Sequence, residues 1–414
     1  MFRFLTAGES HGPGLTVIVE GVPAGVKLTE EYIAAQLARR QRGYGRGGRM
    51  KIETDFAAIR GGVRHGLTLG APVAMTIENR DFANWQGAMD VGPVGPEVDH
   101  RENTRVVPGH ADFPGALKYM AHDMRNVLER ASARETAARV AAGAVARAFL
   151  EELGIEIHSR VVSIGSVKAS DTPSSEIDWD AVEECDVRTD DASTAEAMRA
   201  AIDASKADRT TIGGVFQVVA EGVPVGLGSH IQWDRKLDGR LAQAMISINA
   251  VKGVEIGRGF ANTERPGREV HDVVVPAPDD PRRFRQTSNE AGGIEGGMSN
   301  GNPIVLHVAI KPIATMTDPL PSVDINTGEV IEAPYHRSDI CQVPPACVIG
   351  EAMMAQVLAH AVLEKFGGDH ISETSRNLDG YVASHQEFGQ PSAAFGRGPE
   401  PARERTGETA GTAD

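Results

Sequence analysis

Alternating apolar and polar residues predict short strands at the start of the chain and again in its second half. Residues 2–6 and 15–19 predict two strands joined by a Pro-Gly turn, and residues 273–275 and 305–309 predict further half-buried strands. Residues 30–40 have helical spacing instead. Because strands and helices do not alternate regularly, the pattern favours an α+β fold, in which helices cover antiparallel sheets, over a doubly wound parallel sheet.

The most helical stretch of the chain is residues 113–153. Within it, Ser132-x-x-Glu135 has the form of a capping box, and the apolar residues from Val140 to Phe149 keep helical spacing up to Gly154. A helix that starts here presents free N–H groups and a positive dipole end beside Arg130-Ala131-Ser132, which suits an anion. An ordinary helix cap explains the same residues more simply.

Two short internal similarities predict duplicated halves. Residues 15–25 match residues 216–226 with six identities in eleven, and residues 61–77 match residues 292–308 with five identities, all Gly or Pro. Both pairs occur in the same order along the chain, which is typical of an internal repeat. We therefore expect two pseudo-repeated halves, each built of strands with Gly-Pro turns.

The same features predict how the chain is organised. Residues 1–388 are expected to form a single domain, with pseudo-repeats at about 8–112 and 210–320 and a helical connection at 113–153. Residues 171–209 carry twelve carboxylates and four basic side chains, which predicts a solvated arm with one amphipathic helix near 193–206. Residues 389–414 have almost nothing to bury and are predicted to be a disordered tail.

Composition excludes several classes of protein. The 414 residues contain 42 Lys and Arg and 57 Asp and Glu, a formal charge of −15 that argues against a general nucleic-acid binder. No apolar run approaches the roughly 18 residues of a membrane helix, and the N-terminus has no signal-peptide core. Three cysteines without C-x-x-C spacing argue against a disulfide scaffold and a zinc ribbon, so a cytoplasmic location is expected.

One segment of this acidic chain is strongly basic. Residues 39–64 contain eight Lys and Arg and only two carboxylates, Glu53 and Asp55. A solvated basic face is the ordinary explanation of such a run. Here seven glycines between positions 43 and 66 are interleaved with the basic residues and let backbone N–H groups approach a ligand, which favours a phosphate or carboxylate site.

Two familiar motifs lack their structural context. Residues 8–12 satisfy the G-x-S-x-G motif of serine hydrolases, but a second predicted strand follows where that motif needs a helix. Residues 43–48 satisfy G-x-G-x-x-G, but they follow a predicted helix where a dinucleotide site needs a strand. The thirteen histidines form no recognisable metal-ligand spacing, so no metal site is predicted.

Polar residues next to glycines remain as candidates for chemistry. His11 and His110 lie in glycine-containing loops, as does Ser10, and Asp339 follows Arg337 in another predicted loop. A surface loop explains about half of such histidines. Two of them together with an arginine-rich loop indicate acid–base chemistry on a phosphorylated substrate.

Nine strings in these loops and elsewhere, spread over nearly all of residues 1–388, resemble the chorismate synthase family. They are TAGESHG at 6–12, RRQRGYGRGGRM at 39–50, PGHAD at 108–112, ERASARETAARVAAG at 129–143, VPVGLGSHIQWDRKLDGRLAQA at 223–244, INAVKGVEIG at 248–257, GGMSNGNPI at 296–304, KPIATM at 311–316 and HRSD at 336–339. The resemblance implies a β-α-β sandwich that assembles as a homotetramer. It also implies an enzyme that converts 5-enolpyruvylshikimate 3-phosphate to chorismate by anti 1,4-elimination, with reduced FMN required and no net redox change.

The resemblance also implies roles for individual residues. His11 would be the acid that assists the departing phosphate, His110 a proton donor near flavin N1, and Asp339 a helper in transfer of the ring proton to flavin N5. The implied substrate-binding residues are Ser10, Arg40, Arg46, Arg49, Arg134 and Arg337. The implied flavin-binding residues are Arg130, Ala131, Ser132, Asn249, Ala250, Gly296, Lys311, Pro312, Ile313, Ala314, Thr315 and Arg337. Arginine suits the substrate positions because its guanidinium pairs with oxyanions through two hydrogen bonds.

Three points stay open at the level of sequence. In some members of the family Arg40 and Arg46 are assigned to NADPH, which would serve here only as a reductant. Many members have Arg directly before Pro-Gly-His-Ala-Asp, where this chain has Val107. The alternatives are a serine hydrolase that uses Ser10 and an RNA-binding Arg-Gly module at residues 42–49. The acidic net charge argues against the RNA-binding module, and so does the presence of only one interleaved aromatic residue, Tyr44.

Overall fold

A computed structural model describes residues 1–46, 54–335 and 339–387. Across these residues the α-helices are α1 (Glu30–Gln41), α2 (Asp112–Tyr119), α3 (Arg125–Ala131), α4 (Thr136–Glu151), α5 (Trp179–Glu184), α6 (Ala192–Ala207), α7 (Leu237–Ile246), α8 (Gly267–Val270), α9 (Val343–Phe366) and α10 (Ile371–Ser384). The predicted helices near 30–40 and 193–206 correspond to α1 and α6. The predicted helical stretch 113–153 contains most of α2 together with α3 and α4.

Two antiparallel sheets dominate the strands. The first has the order β1-β2-β6-β3 and the second the order β10-β15-β9-β7-β8. Their strands are β1 (Arg3–Ala7), β2 (Gly14–Glu20), β3 (Ala57–Gly61), β6 (Val73–Glu78), β7 (Glu156–Ile164), β8 (Val167–Lys168), β9 (Gly214–Glu221), β10 (Val251–Ile256) and β15 (Ile304–Ile310). Four small hairpins are formed by β4 (Val63–Arg64) with β5 (Leu67–Thr68), β11 (Val274–Pro276) with β12 (Phe284–Gln286), β13 (Ile294–Glu295) with β14 (Met298–Ser299), and β16 (Pro321–Val323) with β17 (Val330–Glu332).

The two sheets share one topology. In the first sheet β2 pairs with β6, with β1 and β3 outside them, and in the second β9 pairs with β15, with β7 and β10 outside them. One helix lies between the second and third strands of each set, α1 in the first and α7 in the second. The α+β prediction with two pseudo-repeated halves is therefore confirmed at the level of topology. The boundaries given for the halves remain predictions.

Four helices fill the space between the sheets. Helix α4 packs on β2 and on α9, and α9 packs on β7 and β9, while α1 and α7 complete the layer on either side. Nearly every residue of α4 and α9 is buried, and their Ala, Gly and Val residues let the two backbones come close. The core therefore lies around the contact of α4 with α9, which gives the predicted β-α-β sandwich.

Two local predictions need correction. Ser132 caps the start of its helical segment, because its hydroxyl accepts from the backbone N–H of Arg134 at 3.2 Å. Glu135 does not complete a capping box, since its carboxylate accepts from Thr6 and Arg139 instead. The acidic arm is also less solvated than predicted: α5 precedes α6, and the arm buries Arg188.

One helix in the described part of the chain, α9, is long and apolar enough to span a membrane, and 89% of its apolar window is buried inside the fold. The burial is the pattern of a core helix. The sequence pattern had not predicted this helix.

Candidate active site

The loop between β1 and β2 holds His11 against helix α3. Both carboxylate oxygens of Glu129 lie within 2.9–3.0 Å of His11 Nδ1, and the backbone N–H of His11 donates to the same carboxylate at 2.8 Å. The Ser10 backbone N–H donates to the Glu129 carbonyl, and Ser132 Oγ donates to Ser10 Oγ at 3.1 Å. The last turn of α3 therefore fixes the position of both loop residues.

Glu129 is the buried counter-charge at this loop. Its side chain is only 3% exposed, and Arg125 contacts it at 3.2 Å from one turn earlier in α3. Burial tends to raise the pKa of Glu129, but the hydrogen bonds and charge of His11, together with Arg125, outweigh burial and lower this pKa. Glu129 is therefore a carboxylate at neutral pH, and both of its oxygens face His11 Nδ1.

His110 has a similar carboxylate partner. Its Nδ1 contacts Asp112, whose side chain is fully buried at the start of α2 and whose other oxygen accepts from the Val107 backbone N–H at 2.9 Å. The positive φ of Gly109, +80°, turns the chain so that Lys311 Nζ can donate to the Gly109 carbonyl at 2.6 Å. The His110 loop is thereby joined to the segment that follows β15.

A buried carboxylate, Asp55, brings two predicted substrate arginines together. One oxygen of Asp55 pairs with Arg134 and the other lies 3.4 Å from Arg40. Arg40 also donates to Thr136 Oγ1 and to the Ala133 carbonyl, both at 3.0 Å, and Arg134 donates to Asn79 at 2.9 Å. Both guanidinium groups are thus held rigidly at the start of α4, where the helix dipole also favours an anion.

These elements border a cleft that is open to solvent, and the space inside it, the solvent-filled part included, is about 400 Å³. Its polar lining consists of Arg40, Arg46, Thr136, Asn249, Asp339 and Gln342. Its apolar lining consists of Ala133, Ile248, Ile310, Pro345, Ala346 and Ile349. Arg46 pairs with Asp339 at 3.2 Å, and burial lowers the pKa of Arg46 although Asp339 and Asp55 oppose the shift.

Asn249 is the predicted flavin residue in the lining of this cleft, and hydrogen bonds join several of the others to the lining residues. Asn249 donates to the Ala131 carbonyl at 2.9 Å, and the Lys311 backbone N–H donates to the Ala250 carbonyl at 3.0 Å. Gln342, which lines the cleft, donates to the Lys311 carbonyl at 3.4 Å. The segment of residues 311–315 is tied down further where Thr211 donates to the Ile313 carbonyl at 2.7 Å, and Thr315 is buried.

Other predicted residues have different surroundings. Arg130 donates to the carbonyls of Thr6 and Gly8, so it fastens β1 and the loop that follows it. Gly296 is exposed in the β13–β14 hairpin, and the neighbouring Gly297 packs against Lys236 at the start of α7. Arg49, Arg337 and the predicted tail at 389–414 lie outside the described residues.

Three functional candidates of this site were missed by sequence reasoning. Glu129, Asp55 and Trp85 each contact a residue that is distant in the sequence. Glu129 is 118 positions from His11, and Trp85 stacks on the ring of His11. Asp112 lies two positions after His110 within the string PGHAD, so the sequence could have indicated that this carboxylate contacts His110.

The structure also bears on the alternatives. Strand β2 follows the Ser10 loop, so the helix required by a hydrolase elbow is missing there. The described residues contain no cluster of three or more metal-ligating side chains.

Comparisons with known proteins identify the family of the chain. The family model described as chorismate synthase matches residues 2–363. A chorismate synthase of Geobacter sulfurreducens is 52% identical over 401 residues, covering 94% of this chain and all of that protein. One of Desulforudis audaxviator is 55% identical over 386 residues, covering 92% of this chain and 97% of that protein. A crystal structure of a chorismate synthase is 43% identical with a TM-score of 0.75, and the match covers 94% of this chain and 99% of that one. The chain belongs to the chorismate synthase family.

Proposed function

We propose that this protein converts 5-enolpyruvylshikimate 3-phosphate to chorismate by anti 1,4-elimination of phosphate and a ring proton, with reduced FMN and without net redox change. The observation that carries the proposal is the pairing of His11 and His110 with the buried carboxylates Glu129 and Asp112, in loops joined to the walls of an arginine-lined cleft. The full-length match to chorismate synthases supports the same reaction.

His11 is assigned to the departing phosphate. A phosphate leaves an allylic carbon as an anion, so a proton donor and fixed positive charge both lower the barrier. Glu129 holds Nδ1 of His11, so a proton delivered to the phosphate comes from Nε2. Arg40 and Arg134, held by Asp55, supply positive charge that need not reorganise during the reaction.

Arg46 is assigned to an anionic group of the substrate, and Asp339 is assigned to its ring proton. The Arg46 guanidinium suits a substrate carboxylate or phosphate, and Arg49 and Arg337 are proposed to add to it. Asp339, 3.2 Å from Arg46 at the cleft wall, provides a carboxylate that can guide the ring proton away. His110 is proposed to hold a proton near the cofactor, kept in orientation by Asp112.

The chain has a place that fits a reduced flavin. The four larger apolar residues of the cleft lining offer a surface for a flat ring system, and Asn249 and Gln342 offer polar edges beside it. Ala250 adopts a positive φ of +66°, which brings the backbone of this turn to the Lys311 segment. When bound, reduced FMN supplies electron density to the substrate. Ala131, Ser132, Asn249, Ala250 and residues 311–315 are proposed to hold it, with Arg130 and Gly296 as less direct candidates.

The substrate is a small molecule, as the family implies. We further propose a homotetramer in the cytoplasm, with NADPH acting only as a reductant of the flavin. Sedimentation of the purified full chain tests the assembly, and a monomer at micromolar concentration would contradict it.

An anaerobic assay with 5-enolpyruvylshikimate 3-phosphate and reduced FMN tests the function. We expect many chorismate molecules per reduced flavin, and none with oxidised FMN in the absence of a reductant. His11→Ala and His110→Ala should each lower kcat about a hundredfold or more, the usual size of a lost acid–base group, with much smaller changes in KM. The exposed His271→Ala serves as the control and should keep full activity. Oxidation of one flavin per chorismate would contradict the proposal.

A further inference from the structure

Asn79 follows strand β6 directly and is buried beside the loop that carries His11. Only 4% of the residue is exposed. Its backbone N–H donates to the Pro13 carbonyl at 3.1 Å, which extends the pairing of β2 with β6 by one step. Asn79 also precedes the 3-10 turn at Arg80–Asn84, where an asparagine side chain ordinarily caps the turn, but here it makes no such hydrogen bond. The buried amide is therefore used for other contacts.

The amide nitrogen of Asn79 binds the His11 loop. Its Nδ2 donates one hydrogen to the Glu9 carbonyl at 2.9 Å and the other to the Gly12 carbonyl at 2.8 Å. These two carbonyls lie on either side of His11 in the chain, and the backbone N–H of His11 is bound by Glu129. Asn79 and Glu129 therefore hold the carbonyls and an N–H group of the same turn.

The amide oxygen of Asn79 binds a predicted substrate arginine. Arg134 donates from Nε to Oδ1 at 2.9 Å, and its guanidinium also pairs with Asp55, whose other oxygen lies 3.4 Å from Arg40. Because carbonyls only accept and guanidinium groups only donate, a single orientation of the amide satisfies all three of its partners. Asn79 therefore links the His11 loop to the pair of arginines.

The neutrality of the amide matters for this pair. Arg40 and Arg134 share one buried carboxylate, Asp55, so the group of three keeps a positive charge that suits an anion. Asn79→Asp would have nearly the same shape, but its carboxylate would cancel that charge and would repel the two loop carbonyls. An amide can bind the arginine and the loop together without this loss.

We propose that Asn79 is a positioning residue that fixes the His11 loop and Arg134 relative to each other. The inference rests on the proposed function, in which His11 assists the departing phosphate and Arg134 supplies positive charge beside it. One phosphate has to meet both groups at once, and a misplacement of about 1 Å is enough to cost a large part of the rate. Asn79 acts through the groups that it binds and needs no contact with the substrate.

Two substitutions of Asn79 separate position from charge. Asn79→Ala removes the three side-chain hydrogen bonds and leaves the charges, so kcat should fall about tenfold to a hundredfold with KM within about threefold. Asn79→Asp should also raise KM about tenfold or more, because the arginine pair loses its excess charge. A residue that only supports the fold would lower the amount of active protein and leave KM unchanged in both variants. Asn79→Ser retains one donor and replaces the Ala variant if that variant does not fold.

Asn262 provides the matched control. Its amide also joins a backbone carbonyl to an arginine, since Nδ2 donates to the Glu290 carbonyl at 3.2 Å and Oδ1 accepts from Arg265 at 3.5 Å. It lies in the turn after β10, whereas the predicted flavin residue Ala250 lies directly before that strand. Asn262→Ala and Asn262→Asp should keep kcat and KM within about twofold of the parent.

Hydrogen exchange tests the loop without turnover. In the full chain, backbone N–H groups of residues 8–14 should exchange about tenfold faster or more in Asn79→Ala than in the parent, with α9 unchanged. Unchanged exchange of this loop, a parental kcat in Asn79→Ala or a parental KM in Asn79→Asp overturns the inference even if the parent makes chorismate. A parent that makes no chorismate with reduced FMN contradicts the proposed function. In that case loop exchange, together with the calorimetric affinity of Asn79→Asp for 5-enolpyruvylshikimate 3-phosphate, still decides whether Asn79 couples the loop to the arginines.

Discussion

At the scale of single residues, buried carboxylates hold the candidate catalytic side chains of the site in place. Asp112 is fully buried at the start of α2, and its two oxygens contact His110 Nδ1 and the Val107 backbone N–H. The carboxylate therefore fixes both the ring and the loop that carries it. Asp112 is therefore placed to orient the ring of His110.

We expect Asp112→Asn to lower kcat about tenfold to a hundredfold with a small change in KM. The amide can keep the contact to the Val107 N–H, but it cannot balance a proton on His110. Glu102→Gln, an exposed acid in the segment before this loop, is the control and should behave as the parent. Anaerobic kinetics measure both variants. A kcat for Asp112→Asn equal to that of the parent would contradict a role for Asp112 in orienting His110.

Val107 lies where the family resemblance led us to expect an arginine, and its environment changes what an arginine would do here. Its side chain is 2% exposed, and the neighbouring Val106 is bonded on both its N–H and carbonyl to the β16 segment. From the sequence alone, an added arginine at this loop is expected to strengthen substrate binding, so that Val107→Arg lowers KM with little change in kcat. Burial instead predicts that Val107→Arg lowers the free energy of unfolding by about 1–3 kcal/mol, because a guanidinium must be desolvated or must displace the loop. Urea unfolding tests this, and undiminished stability together with a lower KM would favour the earlier expectation.

The sequence predicted the residues of the loops better than their partners. Glycine neighbours mark His11 and His110 because a histidine there has no packing role in a helix or strand. Glu129 could not be found in this way: it lies in a helix where an acid at the surface is ordinary, and only the fold brings it to His11. Asp55 is similar, because it reads as one of two acids in a basic run until its two arginine partners are seen.

At the scale of elements, the contact of α4 with α9 depends on one glycine. A Cβ added to Gly143 would lie 2.3 Å from Ala352 Cβ and 2.5 Å from its Cα, too close for any real side chain. The helices must therefore move apart if residue 143 carries a side chain.

Gly143→Ala should lower the free energy of unfolding by about 1–3 kcal/mol, despite the better helix propensity of alanine. Gly380→Ala is the matched control, since Gly380 lies in the exposed part of α10 with no atom within 4 Å of an added Cβ. This substitution should stabilise the fold by about 0.5–1 kcal/mol. Urea unfolding of both variants measures the difference, and equal stabilities would show that α4 and α9 can separate freely.

Periodicity explains which helices could be predicted from sequence. Helices α1 and α6 each have an exposed face, so their apolar residues recur with helical spacing. Helix α9 is buried on nearly all sides and has almost no polar face, so its sequence reads as an apolar run without a period. Pro344 and Pro345 in its first turn were the available signal for its start.

At the scale of the whole molecule, the repeated topology was predictable because Gly and Pro mark the same turns in each half. The boundaries of the repeats were harder to predict from the sequence. Strand β7 corresponds in position to β1, yet it precedes the region 210–320 that was expected to form the second repeat. The segment of β7 shares no Gly-Pro turn with the matched strings, which explains why β7 was not assigned to a repeat.

Where the two halves meet, a buried ion network crosses between them. Glu351 of α9 contacts Arg39 of α1 and Arg147 of α4, both at 2.6 Å, and Arg188 of the arm at 3.4 Å. Burial tends to raise the pKa of Glu351, but the charges of Arg39 and Arg147 outweigh it and lower this pKa to about 2. One buried carboxylate therefore contacts three guanidinium groups, of which that of Arg188 is the most buried.

Glu351→Gln should lower the free energy of unfolding by about 3–5 kcal/mol at pH 7, because the one fully buried carboxylate of the network is lost and the arginines keep only the more exposed Glu183 and Glu151. Glu364→Gln is the control on the same helix. Glu364 pairs with Arg240 at 2.6 Å but is 35% exposed, so its loss should cost about 1 kcal/mol or less.

The pH dependence of that difference identifies the charge as the cause. The pKa of Glu351 is lowered in the folded state, so its contribution is complete above the ordinary carboxyl pKa of 4.5 and is lost as the pH falls toward 2. Other carboxylates titrate in both proteins and cancel when the variant is subtracted from the parent. The gap between parent and Glu351→Gln should therefore be constant from pH 7 to about pH 5.5 and narrower by about 2 kcal/mol at pH 3. Urea unfolding across this range measures the gap, and a gap that stays constant to pH 3 would show that Glu351 stabilises the interface by packing and not by its charge.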